Sequence, residues 1–377
     1  MTKKILISVS YYSPHISGLT HSIKNLSVLL SGSGYQLTIL TTQHDKKLPQ
    51  KMRDAHIAIH RVPYLFKIHK GFFIPKFLTT AFSLLQKNDH VIIVLPQFEG
   101  VIVALLAKLL GKKITTLYIC EVTLSENVIT KFFELLLRLS HLVTVTLSQN
   151  IVTLTQDFAK NNTLLAKRID RITAILPVIV KPLVTQKAQA FFRNRLPGKK
   201  VVIGFIGRVS SEKGIEYLLH AIPMLQKEFG DNFIIVLAGS LGVGESSYIQ
   251  EVISLISRYK KYIIWLQKLE DDELGAFYQS LDVLVLPSVN TTEAFGMVQV
   301  EAMLLGVPVV ASNLPGVRVP IQKTSMGEIV PLRNSEVLSQ AIIRVIMHKK
   351  EYMKKSYEVR SFFDHKKILQ QWEKLLG

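Results

Sequence analysis

Cysteine is nearly missing from this chain of 377 residues, the one example being Cys120. A single thiol cannot close an internal disulfide, and no Cys/His cluster stands at the spacing of a structural zinc site. That usage suits a reducing compartment, so the expected location is cytoplasmic, either free or peripheral on the cytoplasmic membrane face. An unbroken apolar run of membrane-spanning length is missing too. The longest apolar stretch, 91–110, is interrupted by Pro96, Gln97, Glu99, Gly100 and Lys108. The apolar run after Lys3 and Lys4 stops at Tyr11-Tyr12-Ser13-Pro14 with no small-residue cleavage site. It is therefore expected to be a buried first strand and not a signal peptide. No short-period repeat and no low-complexity tract is present.

Acid is scarce beside base: 28 Asp and Glu face 46 Lys and Arg, a formal net charge of +18. Such an excess attracts polyanions, whether acidic membrane, nucleic acid or phosphorylated ligands. No nucleic-acid-binding motif accompanies the charge, and no nucleic-acid partner is expected. Much of it collects at Lys46, Lys47, Lys51, Arg53, Arg61, Lys67, Lys70 and Lys76, opposed within that stretch only by Asp54 and interleaved with Tyr64, Phe66, Phe72, Phe73 and Phe77. Basic and aromatic residues together suit peripheral contact with an anionic membrane. A solvated loop-and-strand region whose aromatics face the core is the equal alternative.

What remains is globular in composition, 48% hydrophobic and 20% charged, and long enough for two hydrophobic cores. Short apolar runs alternate with helical patterns: strand 5–10, helix 22–31, strand 36–42, strand 91–95, helix 100–110, strand 114–120, helix 128–139 and strand 142–146. The alternation pauses between Pro177 and Pro197, then resumes with strand 201–206, helix 215–229, strand 233–238, helix 246–259 and strands 262–266 and 283–287. The expectation is an α/β protein of two doubly wound, Rossmann-like domains: 1–182, a linker at 183–200, and 201–355, followed by a C-terminal segment 356–377 in which Phe362 to Leu376, with Trp372, form an amphipathic helix.

Two segments carry chemistry. Gly204-Phe-Ile-Gly207-Arg208-Val-Ser-Ser-Glu-Lys213-Gly214 lies where a strand gives way to a helix. Glycines admit an anion to backbone N–H groups, a helix start is electropositive, and Arg208 and Lys213 can neutralise a diphosphate. An ordinary βα turn with two surface cations would look the same. The second segment is Thr292-Glu293-Ala-Phe295-Gly296-Met-Val-Gln-Val-Glu301, leading into Gly306-Val-Pro308-Val-Val-Ala-Ser312. Carboxylates suit sugar and ribose hydroxyls because each accepts several charge-assisted hydrogen bonds. A helix-start charge at Glu293 and a solvated Glu301 are the plain alternative.

Taken in order, the Gly-Arg…Lys-Gly turn, the glutamates eight positions apart and the Gly-x-Pro-Val-Val-Ala-Ser strand closely resemble the family-4 retaining glycosyltransferases of GT-B fold. The resemblance extends over Tyr12-Ser-Pro14…Ser17-Gly18, Gly34–Thr41 and Asp282–Ser288. It implies two domains facing across a cleft that forms the active site, the first being the acceptor side, with the C-terminal helix of 356–377 packing back on that first domain. It implies that Arg208 and Lys213 clamp the diphosphate of a UDP- or GDP-sugar donor, that Glu301 holds the ribose, and that Glu293 contacts donor-sugar hydroxyls. The amides around Phe295 and Gly296, with Gly207 in its turn and Gly18 from the opposite domain, would approach the phosphate. Catalysis would fall to Glu293, Arg208 and Lys213, with retention at the anomeric carbon, no metal and no further cofactor. The partners implied are the nucleotide sugar and a glycan or lipid-linked acceptor.

Three positions depart from the family pattern. Ser17 stands where the family usually has the first glycine of a pair, Ile119 where many relatives have a histidine, and Trp265-Leu266-Gln267 where a glycine commonly ends the strand. Ile119 leaves open a catalytically silent nucleotide-sugar-binding subunit. A nucleotide-sugar epimerase of the same fold is a further alternative, which the glutamate motif disfavours.

Overall fold

The computed structural model describes residues 3–68, 71–122, 128–196, 198, 200–242 and 246–377. Lys70 and the side chains of Lys67 and Phe72, from the basic stretch, lie outside the described residues. The chain divides into two compact units, one comprising Met1–Val178 with Asp364–Gly377 and the other Ile179–Phe363.

The first unit runs β1 Lys4–Ser8, α1 Gly18–Gly32, β2 Gln36–Thr42, β3 Lys51–Asp54, β4 Ile57–Val62, β5 Phe66–Ile68, β6 Gly71–Phe73, α2 Phe77–Gln86 and β7 His90–Leu95. It continues with α3 Gly100–Leu109, β8 Lys113–Tyr118, α4 Val128–Leu147, β9 Asn150–Thr153, α5 Gln156–Asn161 and β10 Ile172–Ala174. Its main sheet has the order β10-β9-β8-β7-β1-β2-β4-β3, and only β3 pairs antiparallel. All six residues of β7 are buried, as a parallel strand covered on both faces requires.

The second unit runs α6 Gln186–Arg195, β11 Val201–Ile206, α7 Ile215–His220, α8 Ile222–Phe229, β12 Phe233–Ala238, α9 Ser246–Arg258, β13 Ile263–Leu266 and α10 Leu274–Gln279. Then come β14 Val283–Leu286, α11 Met297–Met303, β15 Val309–Ser312, α12 Val319–Thr324, β16 Gly327–Val330, α13 Ser335–Met347, α14 Lys349–Tyr352 and α15 Ser356–Phe362. Its sheet, β13-β12-β11-β14-β15-β16, is parallel throughout. Phe205, Leu218, Phe233, Ile235 and Val283 are in its core, where Phe233 stacks on Tyr262 with ring centroids 4.8 Å apart.

The last helix, α16 His365–Leu376, belongs to the first unit. It buries Ile368, Trp372 and Leu376, and Lys3 Nζ donates to the Leu376 carbonyl at 2.9 Å.

Four local readings change. The β-branched run 142–146 is the last part of α4: Thr144 and Thr146 donate their hydroxyls to the carbonyls four residues back, Ser140 at 2.8 Å and Leu142 at 2.7 Å, which a helix permits. The expected helix 215–229 is two helices meeting at Ala221, because Pro223 lacks an N–H and fits only a first turn. The stretch 183–200 contains α6, whose Ala188 and Phe192 are buried, and Phe192 lies 6.0 Å from the Phe277 ring. Residues 356–363 group with the second unit, so the return to the first begins at Asp364.

Candidate donor site

The β11 and β14 strands are neighbours, with Ile203 opposite Val283 and Gly204 opposite Leu284. The strand order reverses between them, since β11 leads outward to β12 and β14 to β15. The loops leaving their carboxyl ends therefore diverge and open a crevice at the sheet edge, the usual ligand position in such sheets. The segment 207–214 follows β11 and the segment 287–296 follows β14, so one strand pairing brings both sequence motifs together.

The loops are tied to each other by backbone. Val289 N donates to the Glu212 carbonyl at 3.0 Å. Gly214 sits in the left-handed region at φ 61°, and a Cβ there would meet the Pro287 carbonyl oxygen and Val289. Only glycine satisfies both the backbone and the close approach. Lys213 is thereby aimed across at the second loop, where its Nζ forms an ion pair with Glu293 Oε2, both side chains largely withdrawn from solvent. Arg208 keeps half of its side chain exposed and its Nη2 reaches Glu212 Oε1 at 3.2 Å. Two cations and their carboxylates thus line the crevice. A diphosphate arriving there would compete for the guanidinium and ammonium with groups that already hold them in place.

Gly296, at φ 72°, caps α11 without a side-chain hydrogen bond to the first turn. The preceding Phe295 points its ring inward, edge-on to Phe363 at 6.3 Å, and the Phe295 carbonyl accepts from Gln299 Nε2 at 3.0 Å. Its contribution to a ligand would accordingly come from backbone. Glu301 lies on α11, 8% exposed, and its Oε2 accepts from the Tyr278 hydroxyl at 2.7 Å. Complete burial, and then the adjacent carboxylate, holds the Tyr278 phenol well above its ordinary pKa, so it remains a donor. It fixes one carboxylate oxygen of Glu301.

Gly18 belongs to the first unit, at the start of α1. Ser17 caps that helix: its hydroxyl accepts from Thr20 N at 3.2 Å while Thr20 Oγ1 accepts from Ser17 N at 3.0 Å. The serine in place of a usual glycine thus has a local structural task. Ile119, just past β8, is 5% exposed and its N–H donates to the Leu95 carbonyl at 3.0 Å, a core residue. Trp265, at the end of β13, donates its indole N–H to the Gly239 carbonyl at 2.9 Å.

The pairings of Arg208 with Glu212 and of Glu301 with Tyr278 were absent from the sequence reading. The first has a signal, an i, i+4 spacing; the second has none, because Tyr278 reaches Glu301 only through packing of α10 on α11. Among the described residues no group of three or more His, Cys, Asp or Glu side chains is placed to hold a metal ion, and no helix is long and apolar enough to cross a membrane.

Residues 186–361 match the family model described as glycosyl transferases group 1. An uncharacterised glycosyltransferase of Methanocaldococcus jannaschii is 32% identical over 145 residues, 38% of this chain and 35% of that protein. The phosphatidyl-myo-inositol mannosyltransferase of Mycobacterium leprae is 31% identical over 150 residues, 40% of this chain and 37% of that protein. These matches span well under half the length of those relatives. Anabaena HepE, solved in complex with UDP and glucose, aligns over 99% of both chains with a TM-score of 0.76 at 18% identity. The architecture is therefore the GT-B fold, and the segment carrying the crevice lies within the residues that match the group 1 glycosyltransferase model.

Proposed function

We propose that the protein is a retaining glycosyltransferase that moves a hexose-type sugar from a UDP- or GDP-sugar to a hydroxyl of a glycan or lipid-linked acceptor, without a metal or other cofactor. The observation that carries this reading is the Lys213–Glu293 pair joining the β11 and β14 loops, with Arg208 on the same turn. Arg208 and Lys213 would neutralise the donor diphosphate as its bond to the anomeric carbon breaks, doing electrostatically what a metal does elsewhere. The acceptor oxygen would bond to the same face of that carbon, its proton passing to the leaving phosphate. Glu301, held by Tyr278, would take the ribose, and Glu293 the sugar hydroxyls. Backbone around Gly18, Gly207, Phe295 and Gly296 would approach the phosphates. HepE with UDP and glucose supports a nucleotide-sugar donor, and the mannosyltransferase name supports a lipid-linked acceptor. The protein would work in the cytoplasm, in peripheral contact with an anionic membrane as part of cell-envelope glycan synthesis.

A thermal-shift panel of nucleotide sugars would identify the donor, because a ligand bound only by the folded state raises the unfolding midpoint. Labelled donor incubated with a membrane extract then separates transfer from epimerisation and from binding alone. Binding alone is the second reading, favoured by the buried Ile119. Arg208→Ala and Lys213→Ala should each weaken transition-state stabilisation by roughly 2–4 kcal/mol with folding intact. Near-wild-type turnover in both variants would remove the diphosphate assignment.

A further inference from the structure

The helices α2, α3 and α4 form one layer, α3 packing against both its neighbours and on strands β7 and β8. The layer leaves large apolar side chains in solvent on each of its helices. Phe82 on α2, Leu105 and Leu109 on α3, and Phe132, Leu135 and Leu139 on α4 are all exposed, Leu109 by 78% and Phe132 by 56%. Their spacings are helical: four residues apart on α3, three and then four on α4. Scattered exposed leucines are ordinary, but six exposed large apolar side chains on three helices that pack side by side are not. The β5–β6 hairpin, which directly precedes α2 in the chain, adds Phe66 and Phe73, stacked with ring centroids 4.9 Å apart and half exposed.

Charge decides what covers it. Across these three helices the sequence holds one acid, Glu134, which Arg138 pairs at 2.6 Å, against Lys108, Lys131 and Arg138. The two ends of α2 are Lys76 and Lys87. A second copy of the chain would bring the same cations face to face, and each copy carries a formal net charge of +18. An anionic bilayer takes both features at once, apolar side chains entering the interface while lysines meet lipid phosphates.

We infer that the outer face of α2–α3–α4, with the Phe66–Phe73 hairpin, is the surface by which this protein lies on an anionic membrane. The inference deepens the peripheral contact proposed above and rests on it. It extends the apolar part of that contact from the basic stretch to helices that composition alone did not single out.

The test is co-sedimentation of the full-length protein with phosphatidylcholine vesicles, with and without phosphatidylglycerol. The wild type should bind the anionic vesicles and release as salt rises. The variant Leu109→Glu/Phe132→Glu/Leu139→Glu should lose at least about tenfold in partitioning, since three exposed anchors are replaced by charge. Its circular dichroism and unfolding midpoint should match the wild type, and Leu109→Met/Leu139→Met should bind normally. Undiminished binding by the Glu variant overturns the face. If only Lys51→Glu/Arg53→Glu releases the protein, the exposed β3 edge is the docking element, and the peripheral contact survives without this surface. No wild-type binding to either vesicle overturns both. Light scattering that shows a wild-type dimer and a Glu-variant monomer, with vesicle binding unaltered, assigns the face to a second copy.

Discussion

The two glutamates of the second motif, Glu293 in the loop and Glu301 on α11, differ in their surroundings, and so should their substitutions. Glu301 is buried with one oxygen already bound to Tyr278, whereas Glu293 is the counter-ion of Lys213. Glu301→Gln should weaken binding of the free nucleotide, since a neutral amide gives weaker hydrogen bonds to ribose hydroxyls than a carboxylate. Glu293→Gln should leave nucleotide affinity unchanged or raise it, because Lys213 loses its competing partner, while turnover falls. Calorimetry and steady-state kinetics showing the reverse pattern would exchange the roles. A buried acid in the first unit gives a prediction about pH. Burial pushes the Glu99 carboxyl up to about 7, so the folded state holds its proton below that pH. The stability this contributes is complete below the ordinary carboxyl range and is lost as pH rises through 7. Glu99→Gln should therefore stabilise the protein at pH 8, by up to about 3 kcal/mol, and change little at pH 5. Melting curves with the opposite dependence would show that Glu99 is ionised in the fold. The two motifs that one strand pairing brings together at Lys213 and Glu293 were legible in the chain; the Tyr278 partner of Glu301 was not, because an unspaced partner on another helix leaves no trace in sequence.

Among elements, the strands were the most readable, since a fully buried parallel strand must be an apolar run bounded by turn residues. The segments 36–42, 201–206 and 233–238 match β2, β11 and β12 end to end. Errors fell where one composition serves two structures: Leu142-Val-Thr-Val-Thr146 has strand propensity but continues α4 because its threonines satisfy themselves on helix carbonyls. The β11–α7 turn is the element on which the crevice depends. Gly214→Ala would place a methyl group against the Pro287 carbonyl in a left-handed backbone that costs a non-glycine residue about 1–2 kcal/mol. The turn can relieve that contact only by moving away from the β14 loop. We expect a lower unfolding midpoint together with loss of the Lys213–Glu293 alignment, seen as weakened nucleotide binding. A Gly214→Ala variant with wild-type affinity and midpoint would mean the two loops are not coupled through this turn.

At the scale of the whole molecule, strand and helix alternation predicted two α/β units, and the structure differs in where the segments of each begin and end. Proline and glycine near 177–197 read as a linker, yet α6 buries Phe192 in the second unit, because a proline marks a helix boundary and not a domain boundary. The C-terminal helix is the opposite case, its amphipathic pattern with Trp372 pointing to a packed face. That face closes the first unit: Trp372 is 3% exposed, Asn150 Nδ2 reaches the Leu375 carbonyl at 3.3 Å, and Lys3 holds the carbonyl of Leu376. The first unit is thus completed by residues at the far end of the chain, while the β11 and β14 loops with Arg208, Lys213, Glu293 and Glu301 belong to the second. Trp372→Ala removes a large buried side chain from the α16 interface and should cost about 3–5 kcal/mol of stability in the first unit. Nucleotide binding, read by calorimetry below the unfolding transition, should persist in that variant, and added nucleotide should raise the melting of the second unit without restoring the first. An unchanged melting profile in Trp372→Ala would mean that α16 contributes no packing to the first unit. Equal loss of nucleotide affinity and of stability would mean that the two units do not hold their structures independently.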